Sequence, residues 1–471
     1  MKAAANKDKQ KHFILSDNLW KICVQLSWPA VIAMVLYGLN TVFDAIFVGR
    51  FVGETALAGV SLAYPLSMIS IGLGSLIGVG AGSALSIALG ANDTLTQKRL
   101  LGNLNYISLI IGLIYTVLAL LFAEPLVRMM GGQGEALILG TAYFRTASIG
   151  AFFWIHGLAC NMVVRAEGKM KTAAMMMGAG LIINIIANYI LIVILNMGVK
   201  GAAWGTNIGM LVYTLLGLIY FARRNVSFEA RPFKVYRDKN ITKSIFSMGM
   251  PSLIMTVMST IQGIVIFNVL SRYGTTFDIA FYGASFRILT LLLTPVFGLM
   301  RALQPVTGIN FGAGKNDRVI KGVKIFAVIS IVIMLPFYLF IMISPQAVLG
   351  TMLPNQIFSG ASLFNFRILM ALLPVLPITF MGMTFFPAIN NAKPAAIIGI
   401  VRQIIFYVPV MLILPRFLGI QWVYWGSAII DFVITLWVVF LLKKEFHTLR
   451  GVSPEIEQTG PQTAAKAFID R

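Results

Sequence analysis

Ser27-Trp-Pro-Ala-Val-Ile-Ala-Met-Val-Leu-Tyr-Gly-Leu-Asn-Thr-Val-Phe-Asp-Ala-Ile-Phe-Val-Gly-Arg50 is long and apolar enough to cross a bilayer. It carries an acid, Asp44, well inside that run. An acid at membrane depth costs about 2.5–3.5 kcal/mol on insertion scales, so it needs a partner, a water-filled cavity or a proton. The stretch therefore predicts a membrane-spanning helix with a working carboxyl.

The rest of the chain repeats the apolar theme. Of 471 residues, 58% are hydrophobic and 11% charged, and the mean hydropathy is +0.84. A soluble domain carries about 25% charged residues. The composition predicts an all-α polytopic membrane protein; β-barrel alternation is missing. Twelve spans are read, near 26–49, 56–86, 100–122, 138–163, 173–195, 202–222, 246–271, 280–306, 322–344, 362–389, 396–415 and 421–442. They sort into a cytoplasmic N-terminal segment (1–25), a first six-helix bundle (26–222), a polar linker (223–245), a second bundle (246–442) and a polar tail (443–471), disordered from about 451. No cleavable signal precedes the first span, which is expected to act as the insertion signal itself.

The net charge of +20, from 37 basic and 17 acidic residues, would suggest nucleic acid in a soluble protein. Here the basic residues cluster in alternate loops, among them Lys98, Arg165, Arg223, Arg231, Lys315 and Arg318. The positive-inside rule then places both termini in the cytoplasm and removes the case for nucleic acid. Cys23 and Cys160 lie in or near spans and suggest neither a disulfide framework nor a metal site.

The halves repeat with an offset of 222 residues, which pairs Pro29 with Pro251, Arg50 with Arg272, Gly90 with Gly312 and Arg145 with Arg367. Near the end the offset slips by one, so that Trp204-Gly-Thr206 pairs with Trp425-Gly-Ser427. Six spans per half means equal insertion, hence a pseudo-two-fold axis along the membrane normal with substrate between the halves. The repeat does not extend to the acid. Asn40 maps to Gln262, but Asp44 maps to Ile266.

Tyr37, Asn40, Thr41 and Asp44 share one helix face. Asn184 and Asn188 share a face of the fifth span, and Thr206 and Asn207 lie on the sixth. Taken singly, each amide is as readily an interhelical contact. With Asp44 they offer a carboxylate, amide oxygens and a hydroxyl. That set suits Na⁺ at Asp44, Asn184, Asn188 and Thr206, or a network around a protonatable acid. Asp431 in the last span reads as a structurally paired acid rather than a coupling one. Gln262, Arg287, Arg301 and His156 are candidates for a substrate cleft, although structural roles are the favoured reading of the arginines, Arg402 included, and core packing that of His156. H-E-x-x-H and a phosphate-cradling G-x-x-x-x-G-K-[ST] are both missing, which argues against a metalloprotease and against ATP-driven transport.

Pro29…Asn40-x-x-x-Asp44…Val48-Gly-Arg50, Arg165-Ala-Glu-Gly168-Lys, Asn184-x-x-x-Asn188 and Ala302-Leu-Gln-Pro305…Gly308-x-Asn310-x-Gly312-Ala313 together resemble the MATE (multidrug and toxic compound extrusion) transporters, across about residues 20–445. The resemblance implies two bundles around a V-shaped cleft and export of small organic compounds, cations foremost, from the cell membrane. Inward H⁺ or Na⁺ would drive it, with no other cofactor and a monomer expected. It also implies that Asp44 belongs to a first-bundle cation site shared with Asn184, Asn188 and Thr206. Many relatives carry an acid where this chain has Asn188, so a single carboxylate is left in that site, and this favours H⁺. A flippase of lipid-linked or anionic metabolites, with Arg287 and Arg301 in the cleft, and a non-transporting scaffold are the competing readings.

Overall fold

The structure is a computed structural model that describes residues 2–223, 226–353 and 356–459. Arg224 of the linker and the tail beyond 459 lie outside the described residues. A helix α1 (Lys2–Ser16) comes first, and Asn18 then caps α2 (Leu19–Phe51) by accepting from the Trp20 N–H. Next come α3 (Glu54–Ala91), α4 (Thr94–Met129), the pair α5 (Gly134–Ile149) and α6 (Ala151–Ala166), and α7 (Met170–Asn188), which continues as a π-helical stretch Tyr189–Ile194. The first half ends with α8 (Gly198–Ala222). The second half holds α9 (Lys239–Tyr273), α10 (Thr276–Gly312), α11 (Asn316–Ile343), a short α12 (Pro345–Gly350), and the pair α13 (Gly360–Met370) and α14 (Leu376–Ala388). It ends with α15 (Lys393–Ile400), which runs through π-helical Val401–Tyr407 into α16 (Val408–Leu418), and with α17 (Trp422–Thr459).

Ten of these helices are long and apolar enough to cross a membrane, and α5 with α6 forms an eleventh crossing bent by 53°. The pair α13 and α14 occupies the place of the twelfth expected span. The chain is a multi-pass membrane protein. Two ends differ from the sequence reading. The N-terminal segment is helical and docked, with Arg318 donating to the Ile14 and Asp17 carbonyls at 3.1 and 2.9 Å. The helix α17 continues to Thr459 rather than stopping near 451, since extending a packed helix costs far less than starting one.

The two broken crossings fall at equivalent places by different chemistry. In the first half the break is at Gly150, where Asn207 of α8 inserts so closely that a β-carbon would overlap its amide. Asn207 Nδ2 then caps the freed Thr146 carbonyl at 2.8 Å, and Thr116 Oγ1 caps Ser148 at 3.1 Å. Backbone freed in a membrane must find such partners. In the second half Pro374 and Pro377 remove the N–H groups that would have continued the helix.

The halves meet along α3, which packs on α9 and α10, and along α10 against α2. A β-carbon on Gly90 would overlap the Ile309 carbonyl, and one on Gly312 would overlap the Ile87 carbonyl. This contact is its own image under the 222-residue offset. Gln304 of α10 reinforces it by donating to Val79 O and Ser83 Oγ, both at 3.0 Å. All of these residues lie on the end of the bundle that holds α1. Nearer the other end, a β-carbon on Gly38 or Gly263 would meet open space.

Candidate functional site

Asp44 sits three-quarters of the way along α2, half-buried, where α2 faces α7 and α8. Asn188 Nδ2 of α7 donates to its Oδ1 at 2.6 Å. Asn40, one turn earlier on α2, donates to Oδ2 at 3.2 Å. Thr206 Oγ1 of α8 lies 3.4 Å from Oδ2 and 3.0 Å from the Ala202 carbonyl, so its single proton serves one or the other. Asn184 reaches Thr206 Oγ1 at 3.3 Å. With its amide turned, Asn184 donates to Asp44 Oδ1 and accepts from the Thr206 N–H, both at 3.2 Å. Three helices thus deliver neutral donors to one carboxylate.

Glycines make this convergence possible. Gly205 and Gly209 let α8 lie against α7; a β-carbon at 205 would overlap the Asn188 side-chain oxygen, and one at 209 would come within 2.8 Å of the Asn184 β-carbon. That Asn188 oxygen is buried and has no hydrogen-bond partner. Toward the far end of α2 the site is sealed by an apolar cluster of Val48, Ala56, Ile192, Val199 and Ala202.

The structure brings Asp44, Asn40, Asn184, Asn188 and Thr206 together. Tyr37 is half-buried on the same face of α2, but makes no hydrogen bond to Asp44 among the described residues. Two residues escaped sequence reasoning. Tyr64 of α3 stands beside Thr41, and both Tyr64 and Tyr143 of α5 stand within electrostatic range of Asp44. Their only sequence signal is a hydroxyl in an apolar span, which tyrosines in membrane helices commonly show.

The cleft candidates scatter. His156 is buried in the first half, where its Nε2 meets Asn105 Oδ1 at 3.0 Å and its ring stacks on Phe152. Asn105 in turn donates to the Pro232 and Lys234 carbonyls, so this histidine supports the docking of the linker. Arg301 is half-buried against the Met162 sulfur at 3.8 Å, and Arg287 is exposed. Gln262 lines a cavity of about 300 Å³ inside the second half, where it accepts from Gln403 at 3.2 Å. Asp431 lines the same cavity and is ion-paired with Arg402 at 2.8 Å. The two membrane-depth acids therefore differ in kind: Asp431 has a built-in cation, whereas Asp44 has only neutral donors among the described residues.

The family model of MatE matches residues 29–190 and again residues 251–413. The chain belongs to the MatE family. The two matches begin 222 residues apart, which is the offset of the internal repeat. The chain is similar to the multidrug export protein MepA of Staphylococcus aureus strain MRSA252, with 28% identity over 443 residues covering 93% of this chain and 97% of that one. MepA of Staphylococcus saprophyticus is 26% identical over 441 residues, with the same coverage. A crystal structure of MATE in the bent conformation is 27% identical with a TM-score of 0.89, covering 95% of this MatE chain and 99% of the other. The outward-facing conformation of a multidrug resistance MATE family transporter is 27% identical with a TM-score of 0.85, covering 93% and 98%.

Proposed function

We propose that this MatE protein is a multidrug exporter that moves small organic compounds outward in exchange for inward H⁺, with Asp44 as the group that carries the proton. The observation that carries the reading is the contrast between the two acids. An acid already paired with Arg402 has no reason to bind a second cation. Asp44 has none of its own and is held by donors that can be broken and remade. The MepA proteins, named multidrug export proteins, support the substrate class.

The coupling follows from what the donors require. A proton on Asp44 removes the charged acceptor that Asn188 and Asn40 now donate to. On Oδ1 it also needs an acceptor of its own, which the Asn184 amide supplies only in the orientation that turns its oxygen toward Asp44. Protonation thus alters the α2–α7–α8 packing, and a ligand shifts an equilibrium only through such differential interaction. Na⁺ would require the same oxygens, but would have to displace neutral donors from both carboxylate oxygens and be held by a single acid. The same geometry therefore favours H⁺.

The excess of basic residues in alternate loops supports the reading that both termini are cytoplasmic. The glycine-lined contact between the halves then closes the inner end, and the open space near Gly38 and Gly263 belongs to an outward-facing cleft. In that state Asp44 takes its proton from outside. Each charge moved through about 100 mV releases about 2.3 kcal/mol. One chain supplies the whole site, so a monomer suffices.

Proteoliposomes loaded with a fluorescent organic cation test the reading. A pH gradient should drive dye movement, and a Na⁺ gradient at equal pH should not. Movement driven by Na⁺ alone would overturn the choice of ion, and indifference to both gradients would overturn the exporter.

A further inference from the structure

At the end of the bundle that holds α1, the internal repeat places the same lysines in both halves and changes one sign. The 222-residue offset carries Lys21 to Lys243 and Lys171 to Lys393. In the first half an acid completes the corner: Asp17, one turn before Lys21, pairs with it at 2.8 Å. The same offset carries Asp17 to Lys239. The second half therefore puts a third cation where the first has its counter-ion. Lys239, Lys243 and Lys393 are exposed and make no ion pair among the described residues. Acids on neighbouring elements are engaged, Asp238 with Arg99 at 3.0 Å and Glu445 with Asn391 at 3.3 Å.

Lys243 and Lys393 line an open groove of about 380 Å³ between α9 and α15, whose apolar wall includes Phe246, Met250 and Ala396. Lys239 lies one turn before Lys243 on the same face of α9. The chain itself fixes the depth of this groove. The apolar spans read from 246 and from 396 each begin three residues after a groove lysine. The lysines thus stand at the height of the lipid headgroups, and the apolar wall stands at the edge of the hydrocarbon.

We propose that this groove seats an anionic phospholipid, with its phosphodiester among Lys239, Lys243 and Lys393 and an acyl chain against Phe246 and Met250. Basic pockets between membrane helices are seats for anionic headgroups. A zwitterionic lipid brings the same phosphate with its own ammonium attached, so the lysines gain little from it. A soluble anion meets the lysines but leaves the apolar wall bare. The first half closes this corner with a carboxylate of its own, and the second half takes a phosphate from the bilayer.

The test uses the full-length protein in nanodiscs, which offer both leaflets and require no transport, so its failure leaves the exporter reading standing. The probes are phosphatidylglycerol and phosphatidylcholine, each with a nitroxide on one acyl chain, in nanodiscs otherwise made of phosphatidylcholine. Ile397 is exposed next to the groove residue Ala396, and Cys23 and Cys160 are buried, so a bimane dye on Ile397→Cys reports on the groove. Quenching by phosphatidylglycerol should reach its midpoint at a mole fraction at least about ten-fold below that for phosphatidylcholine. The triple variant Lys239→Gln/Lys243→Gln/Lys393→Gln should bring the two midpoints within about two-fold of each other. The first-half variant Lys21→Gln/Lys171→Gln should keep the preference, and glycerol 3-phosphate in the buffer should not relieve the quenching. Equal quenching by the two lipids before any lysine is changed would overturn the proposal. So would a preference that survives the triple variant, a preference lost in the first-half variant, or relief by glycerol 3-phosphate.

Discussion

Asn188 donates to Asp44 across 2.6 Å, while its own side-chain oxygen is buried beside Gly205 without a partner. The residue is spent on one bond and holds the other in reserve. Asn188→Leu keeps the approximate volume and removes both. A hydrogen bond to a charged group contributes about 1.5–3 kcal/mol, so gradient-driven efflux should fall about ten-fold or more. Efflux assays normalised to protein amount check this; unchanged efflux would remove Asn188 from the coupling site.

Gly205 sets the distance between α7 and α8. Gly205→Ala places a β-carbon on the Asn188 oxygen, and the helices must separate or the amide must turn. Overpacking of this kind costs about 1–3 kcal/mol. Both the melting temperature in detergent and the efflux rate should drop. An unaltered melting temperature would show that the crossing has slack.

Gly90 and Gly312 meet each other's helices through the Ile309 and Ile87 carbonyls. Because the contact is its own image, Gly90→Val and Gly312→Val should have matching effects. Each wedges the end of the bundle near α1. Cysteines placed nearby, at Ala313 for example, should become more reactive to a thiol reagent applied from the cytoplasm. Reactivity that changes in one variant only would contradict the symmetry.

How far the site was legible in the sequence depends on the kind of contact involved. Asp44 stood out because an acid in an apolar run is costly, and Asn184, Asn188 and Thr206 because polar groups at helical spacing share a face. The helix break at Gly150 was not legible, since it depends on Asn207 arriving from another helix. The Pro374–Pro377 break does have a sequence signal, since proline carries its reason in its own ring, although hydropathy alone reads 362–389 as one span. Asp431 could be read as a paired acid, but its partner Arg402 lies 29 residues away on another helix, and no spacing rule connects them. His156 read as core packing. Its service to the linker through Asn105 needed the fold.

The linker is fixed at Asp238, which caps α9. Its Oδ1 accepts from the Asn240 and Ile241 N–H groups at 3.0 and 3.3 Å, and its Oδ2 pairs with Arg99 at 3.0 Å. Partial burial opposes ionisation, but the capping N–H groups and Arg99 outweigh it and hold the carboxyl below its usual range. A carboxyl depressed in the folded state stabilises above its unfolded value, near 3.9, and loses that contribution as the pH falls through the folded value. Hydrogen exchange of residues 238–242 should therefore stay slow relative to the intrinsic rate from pH 7 down to about 4, and quicken below it. Asp238→Ala should quicken it above about pH 4, by about 1 kcal/mol of lost capping, and the difference from the unaltered protein should shrink below that. Exchange that quickens between pH 7 and 5 would rule out this anchor.

Asp44 and Asp431 predict opposite phenotypes for the same substitution. Asp44→Asn removes a charge that no cation balances and leaves an amide able to bond Asn188, Asn40 and Thr206. The variant should express and melt like the unaltered protein, yet lose gradient-driven efflux, since an amide cannot exchange a proton. Asp431→Asn strands Arg402 at membrane depth, and removing one partner of a buried pair costs about 3–5 kcal/mol. That variant should lose thermal stability first, and Arg402→Gln added to it should recover much of the loss, because no charge is then left alone. Melting curves of the four proteins, set beside efflux of a cationic dye, separate the two roles. If Asp44→Asn melts early and Asp431→Asn does not, the carboxyl of α2 is the structural one and the assignment of the coupling group is reversed.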